Sequence, residues 1–295
     1  MATQRTNSDF HSRGTRCAGW LYMPEATNPP VVVMAHGFGG QRNFRLPAFA
    51  SRFAQRNMAV FLFDYRTFGD SGGHPRHMVN PFAHLEDWRA ALEHVRAIPG
   101  VDTGRIGLWG TSFSGGHVVV TAANDHGVRA VVSQVPFVDG LASARMFPAS
   151  HIARCLYHGL KDIARMATAR PPHYVPLVGE PDEFAALNTP GCMEGFRSIV
   201  PNNERFENRV AARALMYLTM YRPIHHAHKV KCPTLVVSAE QDNLIPAHAV
   251  ADCALRMPRG ELLRRNVGHF DVYTGKEFNE VVKHEADFFV RHLKG

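Results

Sequence analysis

The residues with the clearest capacity for chemistry lie in three separate stretches. Ser112 sits at the apex of Gly110-Thr111-Ser112-Phe113-Ser114-Gly115. An apolar run, Ile106 to Trp109, precedes it, and Val118, Val119 and Val120 follow. Strand, sharp turn and helix with a serine at the tip hold a hydroxyl clear of the backbone, as nucleophilic attack on a carbonyl requires. Such a turn tolerates only small neighbours. Gly110 meets that need two residues before Ser112, and Ser114 stands where a second glycine is usual. If Ser112 is the apex, the Ser114 side chain must lie under the turn and not in the substrate space. The hydroxyl also needs a base, and the base needs an acid to fix its tautomer. His269, in Asn266-Val267-Gly268-His269-Phe270, follows a short strand signal. Asp242, in Ser238-Ala239-Glu240-Gln241-Asp242, follows a strongly apolar strand. Asp139 and Glu240 are the competing carboxylates, one after the strand that follows the serine and one nearer the strand end.

A tetrahedral intermediate at Ser112 would need preorganised N–H donors. The backbone N–H of Phe113 is one candidate. The second is Phe38 in His36-Gly37-Phe38-Gly39-Gly40, a glycine-rich loop just after the strand Val31 to Ala35. His36 is expected to brace that loop from behind. Asp64, Arg66 and Asp70 are expected to form a structural loop network, with Arg66 as a lesser candidate for the site. The glycine strings 37–40 and 69–73 lack the lysine and spacing of a phosphate loop. His225, His226 and His228 could share a metal only with a partner the stretch does not supply, so neither a metal nor a cofactor is expected.

Elements able to position these residues can be read along the chain. Residues 1–15 are polar and read as a loose arm. Strands are expected at 16–23, 31–35, 59–63, 106–109, 130–135, 234–238 and 261–265. Helices are expected at 43–57, 82–96, after Ser112, 246–257 and 276–292. Alternating strands and helices specify an α/β fold with a doubly wound, mostly parallel sheet. From Leu141 to Pro223 the strand signal lapses, and helices are expected near 151–167 and 210–221. A segment this long between strands reads as an inserted helical cap or lid. Its Met and aromatic residues either line an apolar acyl pocket or pack the insertion onto the core. The expected organisation is core 1–140, insertion 141–223 and core 224–295.

Composition narrows the classes. The chain has 295 residues, 45% of them hydrophobic, enough for a sizeable core. Its net charge of +7 is spread without a long basic run, which argues for a solvated basic surface and against nucleic-acid binding. The N-terminal residues lack the apolar region of a secretory signal, and no run approaches the ~18 apolar residues of a membrane span. Five scattered cysteines without a CxxC fit reduced thiols and a cytoplasmic location.

With the glycine-rich loop, Asp64-Tyr65-Arg66 and Gly69-Asp70-Ser71-Gly72-Gly73, and the serine turn in place, the chain resembles the α/β-hydrolase superfamily. The resemblance runs from about Arg16 to the C-terminus, the insertion apart. It is similar to intracellular serine hydrolases of the dienelactone hydrolase-like and S15-peptidase-like groups, with serine in place of the cysteine that dienelactone hydrolases use. The resemblance implies a serine hydrolase that cleaves a carboxylic ester or thioester of a small-molecule acyl substrate, with a cap where the insertion lies. A peptidase or amidase, or an acyltransferase or cyclase, would use the same residues, and a non-catalytic binding protein would use none. A homodimer is left open.

Overall fold

The computed structural model describes residues 4–204 and 206–295. The polar N-terminal arm is more ordered than its sequence suggests. β1 (Gln4–Asn7) pairs antiparallel with β4 (Gly19–Met23), and a hairpin, β2 (Phe10–Ser12) and β3 (Thr15–Cys17), lies between them. Phe10 is the reason the hairpin folds inward. Its ring packs edge-on against Phe61 and Phe63.

The βα rhythm then begins. In order come β5 (Pro30–Ala35), α1 (Leu46–Ala54), β6 (Ala59–Phe63), α2 (Pro81–Arg96), β7 (Asp102–Thr111), α3 (Phe113–Asn124) and β8 (Val128–Gln134). Every residue of β5 and β6 is buried, as their unbroken apolar sequences require of strands covered on both faces. The insertion follows, with α4 (Gly140–Ala144), α5 (Ala149–Ala167), β9 (Tyr174–Val175), α6 (Cys192–Ile199), β10 (Val210–Ala211) and α7 (Leu215–Leu218). After it come β11 (Thr234–Ala239), α8 (Ala247–Arg256), β12 (Gly260–Arg265) and α9 (Gly275–Leu293). The helix expected over 210–221 is instead a two-residue strand paired with β9, a 3-10 turn and the single turn of α7.

The eight strands of the main sheet run in the order β1-β4-β6-β5-β7-β8-β11-β12. β6 to β12 are parallel, and β1 and β4 add an antiparallel edge. α1 and α9 pack together as one helical layer, and α2, α3 and α8 belong to the other. The chain leaves β5 for β6 on one side and returns to place β7 on the other. A crevice opens beyond the carboxyl ends of strands at such a switch point. β5 and β7 lie side by side, with Ala35 opposite Gly110. The loop after β5 and the turn after β7 must therefore share that crevice. Among the described residues no helix is long and apolar enough to cross a membrane.

Candidate active site

Ser112 has φ 55° and ψ −120°, a region that costs an L-residue conformational energy. Flanking contacts hold it there. Its N–H donates to the Gln134 carbonyl (2.9 Å), and its carbonyl accepts from Phe137 N–H (2.9 Å). The turn is tight enough that a Cβ on Gly110 would lie 2.2 Å from the Ser114 carbonyl oxygen, so only glycine fits there. Ser114 is fully buried, and its hydroxyl pairs with Tyr65 Oη (2.8 Å), which also accepts from Trp88 Nε1 (2.7 Å). It lies beneath the turn, where an apex at Ser112 requires it.

Three of the expected site residues meet. The Ser112 hydroxyl lies 3.1 Å from His269 Nε2, and His269 Nδ1 lies 2.6 Å from Asp242 Oδ2. A carboxylate at Nδ1 fixes the N–H there and leaves the Nε2 lone pair facing the serine. The other Asp242 oxygen, Oδ1, accepts from Leu244 N–H (2.8 Å) and Ile245 N–H (2.9 Å). These bonds pin the carboxylate in place. Asp242 and His269 are both buried, and Ser112 is partly open.

The competing carboxylates are occupied elsewhere. Asp139 caps α4 through Leu141 and Ala142 N–H and binds Arg222 bidentately (2.9 and 2.7 Å). Glu240 bonds Ser238 and Arg264. Arg66 turns from the site to Asp87, Ser12 and Glu86.

The loop after β5 comes directly against the serine. A Cβ on Gly37 would lie 2.9 Å from Ser112 Cβ and 3.4 Å from its Oγ. The Phe38 and Phe113 rings meet edge-on at 5.6 Å, and both residues border the cavity beside Ser112. His36 Nδ1–H donates to the Gly37 carbonyl (2.9 Å), and burial pushes its pKa down to about 4, so it stays a neutral brace. The loop is held from below by a residue that sequence reasoning missed, Arg42. Its N–H donates to Asp64 Oδ1 (2.7 Å), its guanidinium reaches Asp70 (2.5 Å), and it stacks on the Trp20 ring. An arginine two residues after a glycine pair, with Asp64 and Asp70 in the next loop, was the available signal. The Thr111–Tyr273–Gln134 hydrogen-bond cluster under the turn had none.

A cavity of about 220 Å³ opens from Ser112 into the insertion. Phe113 and Phe137 form its floor, and Phe147, Ile152, Leu215 and Leu218 of the insertion close over it. The aromatic residues of the insertion therefore divide their roles. Phe147 faces the cavity, whereas Phe196 packs on Phe44, Phe206 and Phe270. A smaller space of about 40 Å³ meets the first at Ser112 and reaches His269 and Tyr273. His225, His226 and His228 lie on a 3-10 turn, Pro223–Lys229. Among the described residues no group of three or more His, Cys, Asp or Glu could hold a metal ion.

Residues 32–281, most of the chain, match the model of the alpha/beta hydrolase family. The chain belongs to that family. Among its relatives is the quorum-quenching protein AidA of Acinetobacter baumannii, 36% identical over 283 residues that span 96% of this chain and 93% of AidA. The polyketide transferase af380 of Aspergillus fumigatus is 30% identical, covering 93% of this chain and 94% of its own. The thiohydrolase aneE of Aspergillus aculeatus is 29% identical, covering 96% and 91%. Family membership accounts for the mostly parallel eight-stranded sheet flanked by helices. It leaves open which reaction this member carries out, because one fold hosts many chemistries.

Proposed function

We propose that the protein is a serine hydrolase that cleaves an ester or thioester of a mainly apolar acyl group. The observation that carries this reading is the continuous chain Ser112 Oγ, His269 Nε2, His269 Nδ1, Asp242 Oδ2 at 3.1 and 2.6 Å, beside an apolar cavity. The acyl group lies in that cavity with its carbonyl over Ser112. His269 takes the hydroxyl proton as Ser112 attacks, and Asp242 stabilises the imidazolium. The N–H groups of Phe38 and Phe113 receive the oxyanion, each supplying about 3 kcal/mol in the transition state. His269 then returns the proton to the leaving group, and water resolves the acyl-enzyme by the same steps. In this reading residues 141–223 act as the cap that selects the acyl group. The name of aneE, a thiohydrolase, is consistent with hydrolysis.

The test is a series of acyl p-nitrophenyl esters and simple acyl thioesters with wild type and Ser112→Ala. Wild type should hydrolyse some members, and the alanine variant should lose about 10³-fold or more in kcat. Full activity in Ser112→Ala removes the reading. The af380 name favours a second reading, acyl transfer to an alcohol or amine in place of water. Product analysis with added acceptors separates the two, since a transferase yields the new ester or amide in preference to the free acid.

A further inference from the structure

The helix α5 is poorly covered for its length. Of its 19 residues only His151, Gly159 and Asp162 are buried. Gly159 lets α5 approach Met216 and the Ala212 carbonyl, and Asp162 binds the buried Arg213 through two side-chain bonds (2.7 and 3.1 Å). The outward side carries Leu156, Tyr157, Leu160 and Ile163, and Met166 is exposed near its end. Leu160 is 54% exposed and Tyr157 63%. Helical spacing puts residues 156, 160, 163 and 167 on one stripe. A contiguous apolar stripe on a soluble surface marks a docking site.

The charges along the helix are mainly basic. Arg145, Arg154, Lys161, Arg165 and Arg170 stand on α5 and its flanks, and Asp162 is buried and paired. The exposed Glu180, Asp182 and Glu183 adjoin Phe184, which packs on Arg154 and His158 in the first half of the helix, so Lys161, Arg165 and Arg170 give the exposed apolar end its charge. A groove of about 460 Å³ adjoins the end of α5 beside Met166, and Arg76, Arg170, Arg209 and Arg213 line it. Two of these arginines have carboxylate partners, Arg209 with Glu207 and Arg213 with Asp162. Arg76 donates to the Ser71 and Gly69 carbonyls and has Asp64, Glu207 and Asp70 nearby. Apolar stripe and arginine groove together have the pattern of a helix that lies in a membrane interface. A second copy of the chain fits less well, because a two-fold antiparallel pairing of α5 would set the Arg154–Lys161 border of each helix against the same border of the other.

We propose that α5 and the arginine groove dock the protein on an anionic lipid surface, with Leu160, Ile163 and Met166 in the acyl boundary and the arginines on the phosphates. The stripe adjoins the site. Ile152, Cys155 and Leu156 of α5 also line the cavity above Ser112, so an amphiphilic acyl substrate would pass from the bilayer into the cavity along the helix. Only this use of the surface rests on the hydrolase reading; the docking itself does not.

The experiment is vesicle flotation of the full chain. Neutral phosphatidylcholine vesicles are compared with vesicles containing phosphatidylglycerol, at low and high salt. Wild type should float at least about tenfold better with the anionic vesicles and lose that preference at high salt. Leu160→Glu and Arg170→Glu should each lower binding about tenfold or more, while hydrolysis of a soluble short-chain ester and the thermal midpoint stay near wild type. Equal flotation on both lipids, or wild-type binding by Leu160→Glu, overturns the proposal. So does a protein dimer that Leu160→Glu dissociates and that floats with neither lipid. Loss of ester hydrolysis in Ser112→Ala with flotation intact, or the reverse, shows which of the two readings has failed.

Discussion

The two sides of Ser112 are built differently. Beneath it the core is filled and largely hydrogen-bonded: Tyr65, Trp88 and Ser114 form one set, and His117 bridges Tyr221 (2.6 Å) and His84 (3.3 Å) behind α3. Burial pushes the His117 pKa down to about 3, so this layer stays uncharged. Above Ser112 the insertion leaves a 220 Å³ cavity, exposes an apolar helix and is tied to the core at its neck. A catalytic group needs positions fixed to a fraction of an ångström, which a dense core supplies. Substrate choice needs shape that can vary without disturbing those positions. Substitutions below Ser112 should therefore act on rate or folding for every substrate, and substitutions above it should act on some substrates only.

The largest effect is expected from Asp242→Asn. The amide oxygen keeps the Leu244 and Ile245 N–H bonds, and its NH₂ then faces His269 Nδ1. The imidazole must carry its proton on Nε2, so it cannot accept from Ser112. Under the proposed mechanism kcat should fall by about 10³–10⁴ for all acyl chains, with thermal stability close to wild type. A fall of less than tenfold in steady-state kinetics would remove Asp242 from the mechanism. His269→Ala serves as the reference for complete loss.

A second core prediction concerns Glu285. It is completely buried on α9, with Oε2 accepting from Trp109 Nε1 (3.0 Å), and burial pushes its pKa up to about 8. In the unfolded chain an ordinary glutamate ionises near pH 4.3. Between those values the folded state holds a proton that the unfolded state has released, so stability falls as pH rises from about 4.5 to 8 and levels off above. Glu285→Gln should leave stability near pH 4 unchanged and raise it by a few kcal/mol at pH 8. Denaturant melts of both proteins from pH 4 to 8.5 check the sign. An identical slope in the variant would place the pH dependence elsewhere.

The same division governs what could be read from the residues. Five of the six parallel strands were legible because burial forces apolar runs, as in Val31 to Ala35 and Ala59 to Phe63, whereas the edge strand β12 is exposed or half-buried throughout and gave only a short signal. Ser112 and Asp242 were legible because each follows an apolar run, and His269 because it follows the last short strand signal; the sheet brings these strand ends together. The weaker parts have local physical causes. Gln4–Asn7 is polar and exposed because it pairs at a sheet edge, where backbone bonds and not side chains hold it. Val210 to Tyr221 looked helical from its Ala, Leu and Met content, yet Val210–Ala211 pairs with β9 and tertiary contact outweighs propensity. Trp109 and Glu285 are far apart in sequence, so their buried bond left no pattern to detect. The insertion's helix α5 was visible, but the exposure of its apolar face was not, because amphipathic spacing does not say whether a face finds cover.

Above Ser112, Leu218→Phe should fill part of the cavity. Under the proposed assignment of that cavity to the acyl chain, kcat/KM for the longest accepted acyl esters should fall about tenfold, with the acetyl ester unaffected. A uniform loss across chain lengths would mean that the cavity does not hold the acyl group.

The smallest effect is expected at the neck, where the two ends of the insertion meet. Arg222 holds Asp139 bidentately, Gly140 N–H donates to the Tyr221 carbonyl, and Ile224 N–H donates to the Val138 carbonyl. Arg222 keeps about a third of its side-chain surface in water, so its ion pair adds only about 1 kcal/mol. Arg222→Ala removes the pair and leaves both backbone bonds. Stability should drop by about 1 kcal/mol, and kcat/KM for long acyl esters should drop about threefold, with acetyl ester turnover retained. Under the proposed assignment of the cavity, a short acyl group would touch mainly Phe38, Phe113 and Ser112, whereas a long one would depend on Leu215 and Leu218, close in sequence to the neck. Arg222→Lys, which keeps the charge but not the two-pronged fit, should fall between them. Equal losses for short and long chains in Arg222→Ala would show that the neck supports the catalytic floor itself, and the separation between the two sides of Ser112 would then fail at this point.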